Sequence, residues 1–533
     1  MSDINKESFI YNYFPQLSLL NNKQLILFFI VGFIFVYLIK TIFVIFFNIY
    51  TAKFSQNLFV SLTEKVLKNY LSRDYIFFTE NNSANLIRNI SSETNIFALG
   101  VIGNVVTIIS NSVLFVSICF FLIFYNFYTI YSMMALILIS FFVIKKNAKK
   151  FGKWGQKRVE HASGFLKKLN EILGSIKEVM LYNKESFYLK QIQYHLKELA
   201  TSSIYKDSFI SITSPIVEFF GIFIFFIFFL ILLYFSKINF SEIIVLFGIF
   251  AFASLRLLPN IIGIVRSFQN LKFNLPSVNI INEEFINNNY NKNENNKVIL
   301  KNELGPVKSI LFEKVSFSYS SKLSPTLKNI NLEILSGDKV CIIGETGSGK
   351  TTLLNIISGL LLPSEGKIKI NKDLALSLYG IKEKIGYVSQ ATYLADDTIS
   401  SNIALKDLIL EEDFKKIENI IKVLNLTNLD QLIKSSKKNL SVGERGSRLS
   451  GGQIQRIGIA RAIYRDPSIL ILDEATSALD EKTEKSILDF LFGYMKNGII
   501  IFSTHRKSVL KYCNKILEVK NNEVNLLDNK KNI

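Results

Sequence analysis

At 533 residues the chain is long enough for two or three domains, so a single core is excluded. Apolar residues make up 49% of it, including 46 phenylalanines, and they gather before about position 266, which excludes a wholly soluble first half. The formal charge is +18 and the three cysteines, Cys119, Cys341 and Cys513, lie far apart, which excludes a disulfide framework or zinc site and favours basic loops against anionic lipid over nucleic acid.

A membrane-crossing helix needs about 20 apolar residues. Five stretches qualify, at roughly 25–47, 99–125, 128–144, 215–235 and 242–265. The first is too long for a signal-peptide core and lacks a small-residue cleavage site, so no cleavable signal is expected. Orientation follows from the basic residues between the spans. Fourteen lie between Lys145 and Lys206, against six acidic residues in 145–213, and 48–97 carries Lys53, Lys65, Lys68, Arg73 and Arg88. The tight turns have almost none: 126–127 has no basic residue and 236–241 only Lys237. The long basic loops are therefore expected in the cytoplasm, with the turns outside.

Both loops read as helix. The run Phe165-Leu-Lys-Lys-Leu-Asn-Glu-Ile-Leu repeats its apolar residues at helical spacing. Membrane helices running well past the bilayer are expected, with amphipathic helices on the membrane surface as the alternative. Five spans and a cytoplasmic C-terminal half put the N-terminus outside, although residues 1–24 carry no export signal. The expectation is therefore either this topology or the absence of a first helix preceding Met1.

Inside the spans, Lys40 and Arg256 are costly in hydrocarbon unless each faces a cavity or partner, or snorkels to the interface. They are candidate substrate-pathway residues. Asn104, Thr107 and Asn111 form a polar stripe at helical spacing, read chiefly as helix-to-helix glue. The Asn-rich run of 286–305 cannot bury apolar area and is expected to link a transmembrane domain, 1–285, to a second domain, 306–533.

From 306 onward short apolar strands alternate with helices, which predicts an α/β fold. Val340-Cys-Ile-Ile, then Gly344-Glu345-Thr346-Gly347-Ser348-Gly349-Lys350-Thr351-Thr352, then Leu353-Leu-Asn-Ile-Ile is strand, glycine-rich loop and helix with P-loop spacing. Glycines let backbone amides close around phosphate oxygens, and the helix N-terminus adds positive potential. Lys350 would reach the β- and γ-phosphates and Thr351 would bind Mg²⁺. Downstream, Ile469-Leu-Ile-Leu is an apolar strand ending in Asp473 and Glu474, fitting an Mg²⁺ partner and a general base for the attacking water.

Leu449-Ser450-Gly451-Gly452-Gln453, placed shortly before those acids, resembles the signature of ATP-binding cassette (ABC) ATPases. By that resemblance Tyr319 stacks on adenine, and Gln390 joins the nucleotide site, as a further Mg²⁺ ligand, to the membrane domain. Ser477-Ala-Leu-Asp480 forms the D-loop, His505 is the switch histidine, and Gly443-Glu-Arg-Gly446 is the segment preceding the signature in exporters. The resemblance implies ATP held between the P-loop of one copy and Ser450, Gly451, Gly452 and Gln453 of another, hence a dimer, most simply of identical chains.

The order of long cytoplasmic loops and short turns is similar to exporter half-transporters, which have six spans per half where five are read here. The implied architecture is multi-domain: an all-α transmembrane domain fused to an α/β P-loop NTPase of ABC type, in a bacterial cytoplasmic membrane. The surroundings of Lys40 and Arg256-Leu-Leu-Pro259 resemble bacterial flippases of lipid-linked oligosaccharides. Three alternatives are weighed with that cargo: another lipid or hydrophobic drug, a non-transporting remnant without its first helix, and a soluble-type ATPase acting on nucleic acid or ribosomes. The density of Phe and Ile in the spans argues against the last.

Overall fold

The computed structural model describes residues 22–125, 127, 129–235, 240–289, 305–319, 324–372, 378–406, 408–424, 441–504 and 506–527. The chain divides into two compact units, one of 1–73 with 77–292 and one of 74–76 with 293–533.

The first unit is helical. Its long elements are α1 (Asn22–Leu71), α4 (Gly103–Tyr125), α5 (Thr129–Gly174), α7 (Glu185–Phe235) and α8 (Phe240–Asn289). The short helices α2 (Tyr75–Glu80), α3 (Ser83–Arg88) and α6 (Ile176–Leu181) lie between them. At 1.5 Å per residue, the 51 residues of α7 reach about 75 Å, more than twice the hydrocarbon thickness. The basic loops are thus extensions of membrane helices, as expected, rather than surface-lying pieces.

Among the described residues four helices are long and apolar enough to cross a membrane, in Ile26–Leu71, Ser83–Phe124, Glu185–Tyr234 and Ile244–Ile286. Five were expected from sequence. Of the 128–144 stretch, 128 lies outside the described residues, and 129–144 form the start of α5, which continues without a break into the basic run. α8 extends through Asn289, so the first residues of the Asn-rich run are helical, while 290–304 lie outside the described residues, as do 1–21 and the turn holding Lys237.

Aromatic rings hold α7 to α8: Phe228 meets Phe250 at 5.4 Å and Phe229 meets Phe247 at 5.1 Å. The apolar side chains of α1 from Ile26 to Phe46 are exposed throughout, the surface of a helix immersed in lipid. The ladder from α3 to α4 is interrupted by two π-helical stretches, Asn89–Glu93 and Ile96–Ile102. At the first, Glu93 is fully buried and its carboxylate accepts from Arg158 at 3.1 Å and from the Ser277 hydroxyl, with Arg88 at 3.8 Å. Asn89 next to it donates to Tyr70 at 3.2 Å and Glu284 at 3.1 Å, so α1, α5 and α8 meet on this polar knot.

The second unit has two sheets. Strands β1 (Ser309–Phe317), β2 (Leu327–Leu335) and β4 (Glu365–Ile370) form an antiparallel sheet ordered β2-β1-β4. The other sheet uses β3 (Lys339–Gly344), β5 (Ile385–Val388), β6 (Ile469–Asp473), β7 (Ile499–Ser503), β8 (Lys515–Lys520) and β9 (Glu523–Leu527) in the order β5-β6-β7-β3-β8-β9. It is parallel except for the β8–β9 pair. Side chains alternate between faces of a strand. In β6, Ile469 and Ile471 enter one core and Leu470 and Leu472 another, and all five residues are buried. That is the environment the unbroken apolar run predicts for a central parallel strand. The three thiols are free, with Cys341 and Cys513 buried.

Candidate functional site

β3 feeds directly into the glycine loop, and α9 (Lys350–Ile357) begins where the loop ends. Gly349 caps this helix at φ 109°, and Gly347 stands at φ 84°, backbone states that favour glycine. A Cβ on Gly344 would lie 2.4 Å from the Val519 carbonyl and 2.8 Å from Ser348 Oγ. Lys350 Nζ folds back into the loop and donates to the carbonyls of Gly344 at 2.7 Å and Glu345 at 2.9 Å. Ser348 Oγ is buried and has no hydrogen-bond partner among the described residues. An orphaned hydroxyl, a buried lysine and a helix N-terminus converge on one glycine cradle, which fits a phosphate chain. Tyr319 stands on the loop after β1, its hydroxyl 3.3 Å from Thr352 Oγ1.

Asp473 closes β6, and β7 separates that strand from β3, so the two motifs share one sheet end. Burial, the largest influence, pushes the Asp473 carboxyl above its ordinary value. The Ser503 hydroxyl opposes this, the Glu474 charge adds to it, and the Tyr387 and Thr351 hydroxyls lower it. Thr351 and Asp473 thus sit within interaction reach, an oxygen pair of the type Mg²⁺ takes. Glu474 adopts φ 48°, a state costly to a residue with a side chain. Its backbone N–H donates to the Ser503 carbonyl at 2.9 Å, and its carboxylate accepts from Gln390 Nε2 at 2.9 Å.

Metal binding needs the ionised carboxylate. If Asp473 is a Mg²⁺ ligand, its hold on its proton to a higher pH than a free carboxyl means that Mg²⁺-dependent nucleotide binding should begin to weaken on acidification before an ordinary aspartate would protonate. Titrating a fluorescent ATP analogue with and without Mg²⁺ from neutral to acid pH measures this. A Mg²⁺ contribution flat across that range would contradict it.

Ser450 is the N-cap of α12 (Gly451–Tyr464) in a reciprocal capping box: its N–H donates to Gln453 Oε1 at 2.8 Å and its Oγ accepts from Gln453 N at 3.3 Å. Ser450→Ala should lower the stability of this unit by about 1 kcal/mol, read as a lower urea midpoint with unchanged slope. An unaltered midpoint would mean the cap is idle. Asp480 is the N-cap of α13 (Glu481–Tyr494) through a single bond, its carboxylate accepting from Thr483 N at 3.0 Å. Hydrogen bonding to Thr483 holds its carboxyl below the usual range.

Two residues overlooked in the sequence tie these parts together. Gln455 is buried on α12, donating to Ser477 Oγ at 3.0 Å and accepting from Ala478 N at 3.0 Å. Arg506 donates to the carbonyls of Ser477 at 2.8 Å and Leu479 at 3.2 Å. A glutamine on an otherwise apolar helix face was the available signal for the first. Arg506 carried none. His505 lies outside the described residues.

In the helical unit, Arg256 lines a cavity of about 610 Å³ with Ser117, Phe121 and Phe252, between α4 and α8. Lys40 is exposed on α1, its Nζ 5.0 Å from the Tyr37 ring centroid. The polar stripe serves its own helix and its neighbour: Asn104 donates to Gly100 O, Thr107 to Gly103 O at 2.9 Å, and Asn111 packs against Gly263.

A phosphate cradle beside a strand-end acid pair, in a sheet flanked by a capped glycine-serine turn, defines a P-loop nucleotide-binding unit, carried here on the same chain as membrane-crossing helices. Residues 327–477 match the family model for the ABC transporter domain, and 7–256 match that for the ABC transporter transmembrane region. The chain belongs to the ABC transporter family, with exporter-type half-transporter architecture. It is 38% identical over 218 residues to ABC transporter B family member 29, chloroplastic, of Arabidopsis thaliana, covering 40% of this chain and 34% of that protein. It is 39% identical over 227 residues to an ATP-dependent lipid A-core flippase of Desulfotalea psychrophila, covering 42% and 38%. A flippase of the same description from Cupriavidus pinatubonensis is 35% identical over 211 residues, covering 39% and 36%. The matched stretch spans about a third of the length of these relatives. In fold, the chain is similar to a bacterial Atm1-family ABC exporter solved with ATP bound: TM-score 0.76, 19% identity, covering 95% of this chain and 88% of that one.

Proposed function

We propose that the chain is an ATP-hydrolysing exporter half that works as a homodimer in a bacterial cytoplasmic membrane, its second unit in the cytoplasm, moving an amphipathic lipid-linked oligosaccharide. The observation that carries the ATPase reading is the shared sheet end, where Lys350 and the orphaned Ser348 hydroxyl meet Thr351, Asp473 and a Gln390–Glu474 pair. Residues 344–352 grip the phosphates, and Tyr319 stacks on the base. Thr351, Asp473 and Gln390 would hold Mg²⁺, which would supply positive charge against the transferred phosphoryl group. Glu474 takes the proton of the attacking water, and His505 steadies the γ-phosphate. Ser450, Gly451, Gly452 and Gln453 act on the nucleotide of the second copy, with Asp480 beside them. The domain division 1–285, 286–305 and 306–533 belongs to this reading.

Lys40 and Arg256 are assigned to the anionic head group of the cargo. A second reading, another lipid as cargo, draws support from the lipid A-core flippases among the relatives. Purified chain in liposomes separates the two. Lipid-linked sugar should raise the ATPase rate severalfold, and Lys40→Gln with Arg256→Gln should abolish the stimulation without touching basal hydrolysis. Stimulation by lipid A alone would transfer the assignment to the second reading, and no stimulation by either would sink both.

A further inference from the structure

We propose that the groove between α5 and α7 is a binding site for an anionic phospholipid of the cytoplasmic leaflet, separate from the Lys40 and Arg256 positions. The groove encloses about 830 Å³, within the usual range for a bound small molecule, roughly 300–1,000 Å³. Its wall is apolar, with Phe141 and Phe142 from α5 facing Ile216 and Phe220 from α7. One end carries Lys146 and Lys150.

The occupant follows from this division. α5 runs from Leu136-Ile-Leu-Ile-Ser-Phe-Phe-Val-Ile into Lys145, Lys146, Lys149 and Lys150 without a break in the helix. Its apolar-to-basic change therefore falls within the groove itself, at the depth where lipid tails give way to phosphates. Lys146 and Lys150 are four residues apart and lie on one helix face, where like charges repel unless an anion sits between them. Among the described residues neither ammonium is paired with a carboxylate. Lys150 Nζ is instead 5.1 Å from the Phe209 ring of α7, closing the basic end over the groove. An acyl chain matches the phenylalanine wall and a phosphodiester matches the lysine pair, and a phospholipid carries both on one molecule. Arg256 lines a different cavity, on α8.

The chain carries its own reporter. Trp154, its only tryptophan, packs on the groove-lining Phe209 with ring centroids 5.2 Å apart. The full chain, reconstituted without nucleotide, is titrated with phosphatidylglycerol or phosphatidylcholine brominated near the carbonyl end of the tail. Phosphatidylglycerol should quench Trp154 with an association constant about thirtyfold higher, as two lysines near an anionic surface dictate. Lys146→Gln with Lys150→Gln should bring the ratio to about one, and Lys146→Arg with Lys150→Arg should restore it. Water-soluble glycerol phosphate should not relieve the quenching. Equal quenching by both lipids, a preference that survives the glutamine pair, or relief by glycerol phosphate would each overturn the site. Because no nucleotide is present, such a failure leaves the ATPase reading untouched.

Discussion

Glu474→Gln should lower the ATPase rate by roughly 10²–10⁴-fold while ATP still binds. The substitution keeps shape and removes only the ability to accept a proton. Glutamine can still pair with Gln390, whose Nε2 now donates to Glu474 at 2.9 Å, and the backbone bond from Glu474 N to Ser503 O is unaffected. The left-handed turn at this residue, φ 48°, is fixed by backbone and strand context that the variant retains. Phosphate release from the reconstituted protein gives the rate, and the rise in melting temperature on adding Mg-ATP gives the binding. An unchanged rate would remove Glu474 from the chemistry. A lost thermal shift would make its role one of binding.

Arg158→Met should destabilise the helical unit by about 3–5 kcal/mol, because it leaves the fully buried Glu93 carboxylate without its closest cation. Arg158 donates to Glu93 at 3.1 Å and to Ser277 Oγ at 2.9 Å, whereas the remaining guanidinium, Arg88, stands 3.8 Å from Glu93 and is committed to Val159 O and Asn89 Oδ1. Heating detergent-solubilised protein and following the loss of soluble material measures the effect, with Glu93→Gln/Arg158→Met as the control. Removing both charges should recover much of the loss, since the penalty lies in the unpaired ion rather than the missing bond. If the double variant were no better than the single one, packing and not charge would be the cause.

This knot also marks the limit of the sequence. The glycine cradle, the acid pair and the signature turn were legible because each rests on local chemistry: φ values open to glycine, an apolar run ending in carboxylates, a serine opening a helix. Glu93, Arg158 and Ser277 meet across separations of 65 and 184 residues, and no spacing rule joins them. The π-helical stretch that turns Glu93 inward left no mark in the apolar periodicity. The Asn104–Thr107–Asn111 stripe reads in sequence as a tie between helices, but Asn104 and Thr107 bond back to Gly100 O and Gly103 O of their own segment, and of the three it is Asn111 that meets a neighbouring helix, at Gly263. The 128–144 stretch reads in sequence as a span of its own, and its described residues fold as the start of a 46-residue helix, just as the 215–235 stretch folds within a 51-residue one.

Arg506 has a consequence for genetics. Its side chain clasps the Ser477 and Leu479 carbonyls, and its own N–H donates to Thr504 Oγ1 at 3.0 Å. Thr504 N in turn reaches Ile342 O, in the strand that carries the cradle, at 3.4 Å. The side chains of Thr504 and Arg506 are the replaceable parts of this short strap, so substitutions at these two positions will show strong epistasis and cost far less together than their separate effects imply.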